Sequence, residues 1–156
     1  MFKKINIQFL ISYLGLIPYA IVFLDKYYFF KIKEEILLNF ITYYSLIIIV
    51  FIGSINWNLK NNPPIHIVVY GFLPSLFSVI IIILNLYNIN ILIIFILIIL
   101  LLLTQLFFDY IIIFSNELNK NAFYFLRLPL TILIAIFLLL ILSYSYYAQF
   151  SFLHDS

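Results

Sequence analysis

Five long apolar runs, parted by short polar turns, constrain this chain more than any other feature. They cover residues 7–24, 36–55, 65–84, 91–112 and 123–147. A helix rises ~1.5 Å per residue, so about 20 apolar residues cross the hydrocarbon core of a bilayer. The sharpest break is Asn61-Asn62-Pro63-Pro64. Each proline pushes its predecessor out of helix and lacks a donor of its own. Residues 85–90, rich in asparagine, and residues 115–121, with Glu117 and Lys120, part the last three runs. The pattern predicts an all-α polytopic integral membrane protein, a five-helix transmembrane bundle forming one domain over residues 1–156.

Composition agrees. The chain is 67% hydrophobic and 9% charged, too apolar for the surface of a water-soluble domain. Its net charge of +2 is too small to point to a nucleic-acid partner. Cysteine is absent, which excludes disulfides, thiolate metal sites and cysteine nucleophiles.

The opening stretch, MFKKINIQFLISYLGLIPYAIVFL, has the charged start and apolar centre of a signal peptide. Its apolar part is too long and no small-x-small cleavage site follows, so a retained first helix is expected. No Arg- and Ser-rich transit segment is visible, which favours a bacterial inner membrane over an imported organelle protein. Ser12, Gly15 and Tyr19 share one face of this run, and Pro18 removes a backbone bond to Leu14, so a mid-span kink is expected. Residues 25–35 set Tyr27, Tyr28, Phe29 and Phe30 beside Lys26, Lys31 and Lys33, a mixture that membrane–water interfaces select. A surface-lying segment is expected there, with Glu34 and Glu35 solvated at the next helix start. Lys3, Lys4, Lys60, Lys120 and Arg127 fall on the N-terminal side, against Lys26, Lys31 and Lys33 on the other. That imbalance predicts a cytoplasmic N-terminus. The residues beyond 147 are expected to form a mobile tail.

Few side chains within the runs could carry chemistry. Gly71, Ser75 and Ser78 make a small-residue face on the third run, and Pro74 frees the carbonyl of Tyr70. Trp57 marks an interface. His66 has no second ligand at i+3 or i+4 and reads as an interface residue. Asp109 lies six residues before the turn at 115–121, and Arg127 six residues after it. In a helical hairpin both sit about 9 Å in from the turn, at one depth. A lone charge in lipid costs about 2.5–3.5 kcal/mol on insertion scales, so the two are expected to pair. Gln105, one turn from Asp109, and Thr131, one turn from Arg127, join them, with Asn56, Trp57 and Ser75 on the same side of the membrane. Three readings of this cluster are open: a strut between two helices, a proton or anion site, or two charges snorkelling separately to the headgroups. Pro18, Pro74 and Pro129 are the expected helix kinks.

No serine with a plausible base, no HExxH and no glycine-rich phosphate loop occurs. No catalytic, cofactor-binding or metal-ligating residue is therefore assigned, and a non-enzymatic protein is expected. Its partners would be the lipid bilayer and a membrane-protein partner or a second copy. A small proton, ion or solute transporter acting as an oligomer is the alternative, although no internal repeat supports it.

Several pieces, in order, resemble the transmembrane protein 69 family. They are Leu14-Gly15-Leu16-Ile17-Pro18-Tyr19, Phe51-Ile52-Gly53-Ser54-Ile55-Asn56-Trp57, Leu73-Pro74-Ser75-Leu76, Asp109, and Leu126-Arg127-Leu128-Pro129-Leu130-Thr131. The family tends to have Gly-Gly at Gly53-Ser54, a basic residue or histidine at Asn56, and glycine at Asn58. It is a domain-of-unknown-function family with bacterial and mitochondrial members. The resemblance implies a helical membrane fold and a polar cluster, and no reaction.

Overall fold

The computed structural model of the chain describes residues 7–55, 65–113 and 123–154. The helices are α1 (Ile7–Leu14), α2 (Ile17–Leu24), α3 (Glu34–Ile55), α4 (Ile65–Leu86), α5 (Ile91–Ile113) and α6 (Leu128–His154). A wider, π-wound turn follows α2 at Asp25–Phe29, and another precedes α6 at Phe123–Arg127. No strand occurs among the described residues. Glu34–Ser54, Val68–Leu86, Ile91–Ile111 and Phe123–Ser143 are each long and apolar enough to cross a membrane. In a bilayer such a stretch must be helical, because the backbone has no water to bond.

The helix expected over residues 7–24 is two helices of 8 residues each. Pro18 lies in the first turn of α2, so the expected mid-span kink is a full break. Proline has no N–H, and the first turn of a helix is where none is needed. The amides of Gly15 and Leu16 bond the carbonyls of Ser12 (3.2 Å) and Tyr13 (3.0 Å), closing α1 with a tighter turn. Pro129 likewise sits in the first turn of α6, and the expected kink there is a change of winding from the π-wound turn. Pro74 alone lies inside a continuous helix. The tail expected to be mobile beyond residue 147 is helical to His154, since no glycine or proline stands there to stop it.

Two compact units form, Met1–Leu37 with Asn121–Ser156, and Leu38–Lys120. In the first, α2 packs on α6 through Tyr19 and Phe23. The Tyr19 and Phe137 rings stack at 6.2 Å, and Phe23 meets Phe137 edge-on at 6.1 Å. Tyr13 Oη donates to the carbonyl of Phe125 at 2.7 Å. That carbonyl is the one Pro129, four residues on, cannot bond. Residues 25–34 depart from the expected interfacial segment on one side only. Tyr28, Phe29 and Phe30 are exposed, yet Lys26 is 4% exposed and its Nζ bonds Glu34 Oε1 at 2.8 Å. The π-wound turn rotates Asp25 and Lys26 inward. Phe30 ends it at φ 48°, and the Ile32 amide bonds Asp25 Oδ2 at 3.2 Å. Glu34, expected to be merely solvated, is the counter-charge of a buried lysine.

The second unit is built from α3, α4 and α5. Ile41, Ile49, Ile94, Phe95, Ile98 and Leu102 are almost wholly buried. α3 and α4 run antiparallel, and their register is pinned at both ends. Gly53 faces Gly71 and Pro74 so closely that a Cβ at position 53 would stand 2.9 Å from Pro74 Cγ and 3.0 Å from the Gly71 carbonyl oxygen. At the other end, Asn85 Nδ2 reaches Asn39 Oδ1 at 3.0 Å and Tyr43 Oη at 3.3 Å. Hydrogen bonds of this kind hold helices together where lipid offers no hydrophobic force between them.

Candidate functional site

The second unit places a buried carboxyl and a buried carboxamide on one face of α5, Asp109 and Gln105. Asp109 and Gln105 lie one turn apart on α5, so they share a face. Both are buried, at 4% and 2% exposed. From α4, Tyr70 Oη donates to Asp109 Oδ1 at 2.6 Å and lies 3.0 Å from the backbone oxygen of Gln105. The phenol has one hydrogen, and the shorter contact, to a carboxyl oxygen, is the stronger. The Tyr70 ring is held against Phe108 at 5.3 Å. From α3, the Ile49 carbonyl accepts from Gln105 Nε2 at 2.9 Å. Tyr70, Gln105 and Asp109 therefore tie α4 to α5, and Gln105 ties α5 to α3.

The amide orientation of Gln105 follows from this bond, because reversing it would set two acceptors against each other. Gln105 Oε1 is then buried with no hydrogen-bond partner among the described residues, as is Ser78 Oγ on α4.

The residues expected to cluster fall as follows. Asp109 and Gln105 come together as the sequence indicates. Ser75 is half-buried on α4, next to Pro74. Arg127 closes the π-wound turn and is half-buried, and Thr131 is buried on α6. These last two belong to the first unit. Asn56 and Trp57 lie outside the described residues. The hydroxyl of Tyr70 was missed, having been read only for the carbonyl that Pro74 frees. A signal existed: a tyrosine in mid-run normally requires a partner for its hydroxyl. The Asn39, Tyr43 and Asn85 contact was also missed, because Asn85 looked like a turn residue.

Among the described residues no group of three or more His, Cys, Asp or Glu side chains could hold a metal ion. The arrangement offers one carboxyl, one phenol and one amide, which can bind hydrogen-bonding groups and exchange protons. No protein-family model, curated protein or solved structure matches the chain.

Proposed function

We propose that this is a multi-pass inner-membrane protein that acts by holding other membrane components together, without chemistry of its own. One observation carries the reading. The Tyr70, Gln105 and Asp109 side chains make bonds that fasten three helices into one block. What remains outward is apolar, including Ile47, Phe51, Phe72 and Leu100. A rigid block with a greasy exterior suits a scaffold for partners in the plane of the membrane. Mild-detergent extraction tests it: a stoichiometric membrane-protein partner should co-purify. A monodisperse particle with no partner, from native membranes, counts against it.

Five crossings are part of the proposal. α1, α2 and the π-wound turn span residues 7–29, about 30 Å of helix, enough for one interrupted crossing. The cytoplasmic N-terminus is favoured further by Lys26, whose burial against Glu34 takes one of three lysines from the opposite count. Membership of the transmembrane protein 69 family is part of the same proposal and rests on the sequence pieces that resemble it.

The transporter alternative rests on the burial of a carboxyl within an apolar helix. It fails if Asp109→Asn leaves every flux into reconstituted vesicles unchanged.

A further inference from the structure

Two buried oxygens in the second unit are unexplained by helix fastening: Ser78 Oγ and Gln105 Oε1. Fastening accounts for Gln105 Nε2, which bonds Ile49, but not for the other end of the same amide. A buried polar atom left without a partner costs about 1–3 kcal/mol, so each calls for an occupant.

The helix register brings the two oxygens to within about one turn of each other along the helices. The Gly53–Pro74 contact sets the register between α3 and α4. One turn inward along α3 from Gly53 reaches Ile49, and one turn inward along α4 from Pro74 reaches Ser78, each about 6 Å from the contact. Gly71, Pro74 and Ser78 are spaced i, i+3, i+7, so Ser78 points to the side of α4 that meets α3. Gln105 is held beside Ile49 by its bond to the Ile49 carbonyl. The hydroxyl of Ser78 both donates and accepts, while Gln105 Oε1 only accepts.

We propose that Ser78 Oγ and Gln105 Oε1 line an internal water-binding site between α3, α4 and α5. A water molecule there donates to Gln105 Oε1 and exchanges a hydrogen bond with Ser78, which meets the two or more polar partners that a buried water requires. A charged occupant fits less well, because neither oxygen carries charge. A larger solute is disfavoured by Ile98 and Leu102, which are almost wholly buried. Asp109 lies one turn from Gln105 on the same face of α5, on the side away from Ser78, where Tyr70 meets it. The proposal stands whether or not the protein acts as a scaffold.

The test is magnetisation transfer from water in solid-state NMR on the full chain in lipid bilayers. Transfer to the Gln105 side-chain amide is expected to be severalfold faster than transfer to the Leu102 methyls. Ser78→Val, which removes the hydroxyl and fills its space, should slow it to the Leu102 rate; Ser78→Ala is used if valine disturbs the fold. A wild-type Gln105 amide as slow as Leu102 overturns the proposal. So does a fast rate that neither Ser78 variant changes.

Discussion

Leucine at position 53 should prevent α3 and α4 from packing, and the protein should lose its folded fraction in mild detergent. The reason is geometric. Even a Cβ would stand 2.9 Å from Pro74 Cγ and 3.1 Å from Pro74 Cβ. A flexible side chain could swing aside, but a proline ring is closed onto its own backbone. The third neighbour, the Gly71 carbonyl oxygen at 3.0 Å, is backbone as well. The helices must therefore separate. Overpacking costs about 1–3 kcal/mol for small additions. Alanine regains about 1 kcal/mol in helix propensity over glycine, so Gly53→Ala should lose up to about 2 kcal/mol net. Gly53→Leu adds three more carbons with nowhere to go and should lose about 3 kcal/mol or more. Separation also pulls Ile49, one turn away, from Gln105 Nε2. Unfolding titrations in mixed micelles, read by tryptophan fluorescence, should rank wild type above Gly53→Ala above Gly53→Leu. A Gly53→Ala variant about 1 kcal/mol more stable than the wild type, the full propensity gain, would mean that the close approach contributes nothing.

Much of the fold was legible because it rests on run length and proline chemistry. The starts of α4 and α5 fall at Ile65 and Ile91 as expected, since the breaks before them are strong. Asp109 and Gln105 were legible as a pair because i and i+4 must share a helix face. What stayed hidden depends on rotation or on three-dimensional neighbours. The split at residues 15–16 was hidden because Gly15 and Pro18 fit a kinked helix as well as a broken one. Lys26 looked interfacial because its neighbours are aromatic, and only the wider π-wound turn carries it inward to Glu34. Asn85 looked like a turn residue, yet it sits in the last turn of α4 and faces Asn39, 46 positions away. Tyr70 is the most instructive case. Its neighbours Val69 and Phe72 are exposed, and although its hydroxyl called for a partner, nothing local names the carboxyl 39 positions on as that partner.

That phenol supplies the second large effect. Tyr70→Phe should cost about 1–2 kcal/mol. Hydrogen bonds between membrane helices average about 0.6 kcal/mol and reach about 1.7. Bonds to a charged partner in soluble proteins are worth about 1.5–3. A 2.6 Å contact to a buried carboxyl belongs near the top of the first range. Phenylalanine keeps the ring packed on Phe108, 5.3 Å away, so the variant isolates the hydroxyl. Asp109→Asn should cost less than Tyr70→Phe at this contact, because an amide oxygen still accepts from the phenol. Asp109→Leu removes the acceptor. If the hydroxyl and the carboxyl act through each other, Tyr70→Phe with Asp109→Leu should fall short of the sum of the single losses by about 1 kcal/mol or more. Additivity within about 0.3 kcal/mol would make the two residues independent. It would also remove the bond on which the scaffold reading depends. The same cycle run in the Gly53→Ala background separates the two effects. Gly53 acts between α3 and α4, and the phenol between α4 and α5, so the coupling should survive there undiminished.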